Sequence, residues 1–97
     1  MRLWAPLEVR SLDASRIFYE KLLPVVDSFD DGLVFGVGDG RIEIVQTRHP
    51  AYPPPIAIEV PTWEEAGPDG TVFPRGHYGR FLTDPDGHRL LIWSERR

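Results

Sequence analysis

LEVRSLDAS, residues 7–15, returns as IEVPTWEEA, residues 58–66, with the strand glutamates Glu8 and Glu59 standing 51 positions apart. Each copy closes an alternating apolar run, takes a short polar step and enters an acidic helix start, which is the mark of an internal duplication. Ahead of the first copy, Leu3, Ala5, Leu7 and Val9 alternate with Trp4, Pro6 and Glu8, so residues 3–9 read as a strand with two different faces. Asp13 is expected to cap a helix over ASRIFYEKLL, with Ala14, Ile17, Phe18 and Leu22 on its packing side and Pro24 as its stop. Three strands follow, residues 25–29, 33–37 and 41–46, separated by DDG and GDG turns.

The second copy is shorter. Gly67, Pro68 and Gly70 cut its helix to about one turn, and strands are expected over residues 71–73, 79–83 and 88–93. Before the last strand comes DPDG, residues 84–87, whose Asp, Pro and Gly supply turn chemistry. Between the copies lies RHPAYPPP, residues 48–55, where three consecutive prolines exclude helix and impose an extended connection. The expected organisation is one domain of two modules, module one over about residues 1–47 and module two over 55–97, with residues 48–54 as linker.

With 97 residues the chain has a small core, and a second copy would help to cover its apolar surface. Eleven basic against fifteen acidic residues give a net charge of -4, which opposes the phosphate neutralisation that nucleic-acid binding requires. No apolar run reaches the roughly 20 residues of a membrane span. There is no cysteine, which removes thiolate metal sites and cysteine nucleophiles, and the start MRLWAPLEVR has no signal-peptide apolar core, so a cytoplasmic location is expected. GVGDGR, residues 36–41, does not have GxGxxG spacing and leads into a strand, so it reads as a hairpin turn rather than a phosphate loop.

Strand LEV, helix segment SLDASRIFYEKLL with Phe18 and Tyr19, the proline-rich crossover, IAIEVPTWEEA and finally GHYGRFLTDPDGHRLLIW together resemble the vicinal oxygen chelate superfamily, which holds glyoxalase I, extradiol dioxygenases and bleomycin-resistance proteins. The resemblance covers nearly the whole chain. It implies an α+β fold of two paired β-α-β-β-β modules, with curved mixed sheets around a shared cleft usually completed in a dimer, here with the second helix truncated. In metal-using members the ligands come from four cavity-facing strand positions, which fall here on Trp4, Glu43, Pro55 and Leu91. Only Glu43 offers a donor, whereas a divalent site gathers three or four N or O ligands. His49, His77 and His88 fall in linker or turn sequence, and His77 and Tyr78, in GHYG, read as turn residues facing solvent.

Strand alternation carries this assignment along each strand. Trp4, Pro6, Glu8, Arg41, Glu43, Val45, Pro55, Ala57, Glu59, Arg89, Leu91 and Trp93 are expected on the cavity wall. Ala5, Leu7, Val9, Ile42, Ile44, Ile56, Ile58, Val60, Leu90 and Ile92 are expected in the core. Trp63 is expected to cover the short second helix. The candidate ligand-binding set is Trp4, Glu8, Arg41, Glu43, Glu59, Arg89, Leu91 and Trp93: two indoles and three carboxylates, a composition that suits an aromatic or cationic compound.

The expected function is therefore metal-independent binding of a small molecule, without cofactor, in the manner of the bleomycin-resistance proteins. The principal alternative is a glyoxalase-like lyase, isomerase or dioxygenase using Glu43 as base or metal ligand. A third reading is a structural or regulatory subunit whose cleft is filled, with Glu8 and Glu59 paired to Arg41 and Arg89. A homodimer is expected in each case, with neither nucleic acid nor membrane as partner.

Overall fold

A computed structural model describes residues 1–86 and 88–97. Gly87, the glycine of the DPDG turn, lies outside the described residues. The chain is α+β, with the element order β-α-β-β-β followed by a second β-α-β-β-β. No helix among the described residues is long and apolar enough to cross a membrane. Residues 4–54 form one compact unit, and residues 1–3 with 55–97 form the other.

In the first unit β1 (Arg2–Val9), which begins among the residues of the other unit, runs parallel to β4 (Gly40–Gln46). β2 (Val25–Phe29) and β3 (Gly32–Val37) extend the sheet antiparallel, giving the order β2-β3-β4-β1. The sheet is mixed because the connection from β1 returns through α1 (Leu12–Glu20), as a parallel pair requires. The Ser11 side chain caps α1, accepting from the Ala14 N–H at 3.2 Å, so the cap falls two residues before Asp13, which sits in the first turn. Gln46 Oε1 takes a second free donor of this helix start, the Leu12 N–H, at 2.8 Å.

The packing side of α1 is not the one that apolar spacing suggests. Ile17, Phe18 and Leu22 are 59%, 60% and 66% exposed, and the helix has no buried residue. Tyr19 meets the sheet instead, its ring 5.6 Å from that of the fully buried Phe35. Leu12, Ser15, Tyr19 and Leu23 are half-buried and recur at helical spacing, so the helix docks on this less apolar stripe. Opposite Phe35 in register stand Ile42 and then Ala5, which places α1 over the Phe35, Ile42 and Ile44 face.

In the second unit β5 (Ile56–Glu59) pairs parallel with β8 (Arg89–Ser94), and β7 (Tyr78–Thr83) and β6 (Thr71–Val72) follow antiparallel in the order β5-β8-β7-β6. α2 (Trp63–Ala66) is a single turn capped by the Thr62 hydroxyl, which accepts from the Glu65 N–H at 3.2 Å. It is stitched to β7: Trp63 stacks on Tyr78 with ring centres 5.2 Å apart, and Arg80 Nε donates to the Ala66 carbonyl at 2.7 Å. The Tyr78 hydroxyl donates to the Gly67 carbonyl and accepts from the Gly70 N–H. Tyr78 is therefore a structural bolt rather than a solvent-facing turn residue. Gly67 is required where it stands, since its φ is +101° and a Cβ there would lie 2.6 Å from Arg80 Nε. Among the expected core residues, Ile44 and Val60 are buried while Ile56, on the opening residue of β5, is 50% exposed.

Candidate functional site

Each sheet has one face covered by its helix and one without. In the first unit the register pairs Trp4 with Arg41, Pro6 with Glu43 and Glu8 with Val45, which puts all six on the face turned away from Phe35 and α1. Val34, opposite Glu43 on β3, shares that face and is buried. Two of the charged side chains here are tied to backbone. Glu8 Oε1 accepts from the Ala51 N–H at 2.6 Å, pinning the proline-rich crossover, and Arg41 Nη1 donates to the Gly40 carbonyl at 2.8 Å and to the Gly38 carbonyl at 3.3 Å. Glu43 is half-buried at the middle of β4.

In the second unit Ala57 pairs with Leu91 and Glu59 with Trp93, while Phe81 stands opposite Leu91 and Gly79 opposite Trp93. These residues and Arg89 share the face turned away from α2, because Tyr78 and Arg80, one residue out of step, face the helix. The most buried members are Ala57 and Trp93, the latter only 8% exposed. Gly79 makes room for it: a Cβ there would lie 3.0 Å from both Leu91 Cδ1 and Trp93 Cβ. Trp93 is thus closely packed against Gly79.

Beside Trp93 runs a row of rings that sequence alternation did not single out. His77 meets Trp93 edge to face at 5.5 Å, Phe73 stacks on His77 at 4.7 Å, Phe81 meets Phe73 edge to face at 6.4 Å, and the Arg89 guanidinium lies 4.3 Å above the Phe81 ring. His77 is accordingly half-buried rather than solvent-facing. Burial first, and then the Arg75 charge, hold its pKa below the ordinary 6.5, with Glu95 acting weakly in the other direction. The hairpin Phe73 N–H to His77 carbonyl bond, 2.8 Å, brings Phe73 beside His77. A short loop containing Pro74 and Gly76 was the available signal for this closure.

Two of the three expected wall carboxylates, Glu8 and Glu59, have partners of their own. Glu59 Oε1 receives Arg2 at 2.6 Å from both Nε and Nη2, with the glutamate side chain 18% exposed. Neither Glu8 nor Glu59 pairs as the filled-cleft reading expects, since Glu8 holds the Ala51 amide and Glu59 holds Arg2. Near Arg2 and Glu59 the second unit contains a cavity of about 330 Å³, also lined by Pro61, Glu95 and Arg96, with both charge signs represented.

Of the positions that the resemblance assigns to metal ligands, Trp4, Glu43 and Leu91 lie on strands and Pro55 falls just before β5, and indole, pyrrolidine and isobutyl groups supply no lone pair for a cation. Among the described residues no three His, Asp or Glu side chains come together in a group able to hold a metal ion. The donor set does not fit the superfamily's divalent centre.

No family model matches the chain, and no curated protein matches it. Solved structures do. An NAD-dependent benzaldehyde dehydrogenase from Legionella pneumophila superposes with a TM-score of 0.74 at 19% identity, covering 95% of this chain and 97% of that one. A glyoxalase/bleomycin resistance protein/dioxygenase superfamily member from Vibrio splendidus gives 0.65 at 10% identity, covering 96% and 97%. The fold is that of the vicinal oxygen chelate superfamily. The Mn(II)-bound glyoxalase from Novosphingobium aromaticivorans shares it at a TM-score of 0.62 and 16% identity, with 97% of this chain covering 40% of that one. At these identities the vicinal oxygen chelate likeness fixes the scaffold, and the scaffold hosts several chemistries.

Proposed function

We propose that the protein is a metal-independent small-molecule binder of vicinal oxygen chelate fold, taking an aromatic compound against the helix-free face of its second unit. The observation that carries this is the row Phe81, Phe73, His77 and Trp93, which offers ring faces and edges beside a strand whose ligand position is Leu91. In the first unit, taken by itself, Trp4, Arg41 and Glu43 share one face and are proposed as that unit's candidate ligand-facing side chains. Glu8 and Glu59 already serve the Ala51 amide and Arg2, so they support an acidic, cation-selective wall less than their number suggests. The experiment is calorimetric titration with naphthalene-ring probes after dialysis against EDTA. Saturable binding supports the reading, and binding that requires an added divalent ion ends it.

The alternative, a glyoxalase-like enzyme, rests on Glu43, a half-buried carboxylate at a ligand position of the fold. A catalyst would lose turnover in Glu43→Gln while keeping substrate affinity. A second copy of the chain is the proposed partner for the exposed α1 stripe of Ile17, Phe18 and Leu22, since a chain this small gains most by covering such a surface.

A further inference from the structure

Resting on the aromatic-binding reading, we infer that the compound carries an anionic group, a carboxylate or its equivalent, and that Arg89 selects it. Strand register puts Glu59 and Arg89 on the helix-free face of the second unit, with Arg75 and Glu95 acting on His77 beside it. Glu59 is engaged by Arg2 at 2.6 Å, whereas Arg89 sits on Phe81. Its guanidinium carbon lies 4.3 Å from the centre of the Phe81 ring, and among the described residues no carboxylate holds it. Stacking uses the π face of a guanidinium and leaves its in-plane N–H donors free, the fork geometry that binds a carboxylate bidentately.

Phe81 beneath it is 47% exposed, although the neighbouring rings of the row are half-buried or buried. Phe81 therefore presents an uncovered aromatic edge and Arg89 an uncovered donor set at one place, and both requirements are met by a planar aromatic acid. A cation placed on Phe81 would meet repulsion from Arg89 at close range. Burial, and then the Arg75 charge, lower the His77 pKa and so disfavour a further positive charge in the row.

The test compares three isosteric probes by calorimetry: 2-naphthoate, 2-naphthalenemethanol and 2-naphthylmethylammonium. Naphthoate is expected to bind about tenfold tighter than the alcohol, and the ammonium weakest, a charge-assisted pair being worth roughly that factor. Arg89→Gln is expected to bring naphthoate down to the alcohol's affinity while leaving the alcohol unchanged, and Arg89→Lys to fall between. Arg89 is exposed, and an unchanged unfolding midpoint shows that each variant is folded. Equal or tighter binding of the ammonium, or an equal loss of all three probes in Arg89→Gln, overturns the anion selectivity while leaving an aromatic site. Failure of all three probes to bind overturns the aromatic site itself.

Discussion

Arg2 holds Glu59 through two nitrogens on one carboxylate oxygen, Nε and Nη2 each at 2.6 Å, across 57 residues of sequence. The pair ties the start of the chain to the end of β5 and borders the 330 Å³ cavity. Its geometry is good and the carboxylate is largely covered, but the arginine remains 37% exposed, so solvent screens part of the attraction. Arg2→Ala is expected to lower stability by about 1–2 kcal/mol, and the double change Arg2→Met with Glu59→Met to restore much of that. Urea unfolding midpoints read both. A neutral Arg2→Ala would mean the pair is a surface accident.

Trp93 and Gly79 form a knob and a gap. Trp93→Ala is expected to cost about 3–5 kcal/mol by the cavity it leaves, and Gly79→Ala about 1–3 kcal/mol by the crowding it creates against Leu91 and Trp93. Thermal or urea denaturation measures each. Gly38, which has positive φ but open space around it, is the control: its alanine variant bears only the backbone strain.

His77 supplies a pH dependence whose sign follows from its lowered pKa. The unfolded chain takes up the proton near 6.5, whereas the folded imidazole, buried between Phe73 and Trp93 and beside Arg75, takes it up only at lower pH. Stability is full above about 6.5 and falls as pH drops from there through the folded value. Glu95, the opposing charge, tempers the effect. His77→Phe, which keeps a ring in the stack, is expected to flatten the change in unfolding midpoint between neutral and mildly acidic pH.

The exposed stripe of α1 predicts association. Phe18→Glu with Leu22→Glu is expected to convert a dimer to monomer in sedimentation velocity while leaving the circular dichroism spectrum unchanged, because neither side chain is buried in the fold. A wild-type chain that sediments as a monomer at high concentration contradicts the second-copy proposal.

Much of this was legible in the sequence. Strict alternation in β1, β4 and β8 set the strand faces, and the repeat of LEVRSLDAS as IEVPTWEEA set the element order. The helix was harder. Ile17 and Phe18, with Leu22 just past the helix end, are exposed apolar residues, yet the sheet takes Tyr19, because Phe35 offers a ring partner and hydrophobicity alone does not say which neighbour a stripe will find. Long-range polar pairings were out of reach for a related reason. Glu8 reaches a backbone amide 43 residues away and Glu59 an arginine 57 residues away, and a carboxylate's partner is set by the fold rather than by its own strand. The row Phe73, His77, Phe81 and Trp93 draws on a turn and two strands, so no single period displays it.

Calorimetric titration with 2-naphthoate and 2-naphthalenemethanol, before and after exhaustive dialysis against EDTA, bears most directly on the central claim. The account predicts saturable binding of one probe per chain with the same Kd in both preparations. Binding that vanishes with EDTA and returns with Mn²⁺ or Zn²⁺ would contradict it.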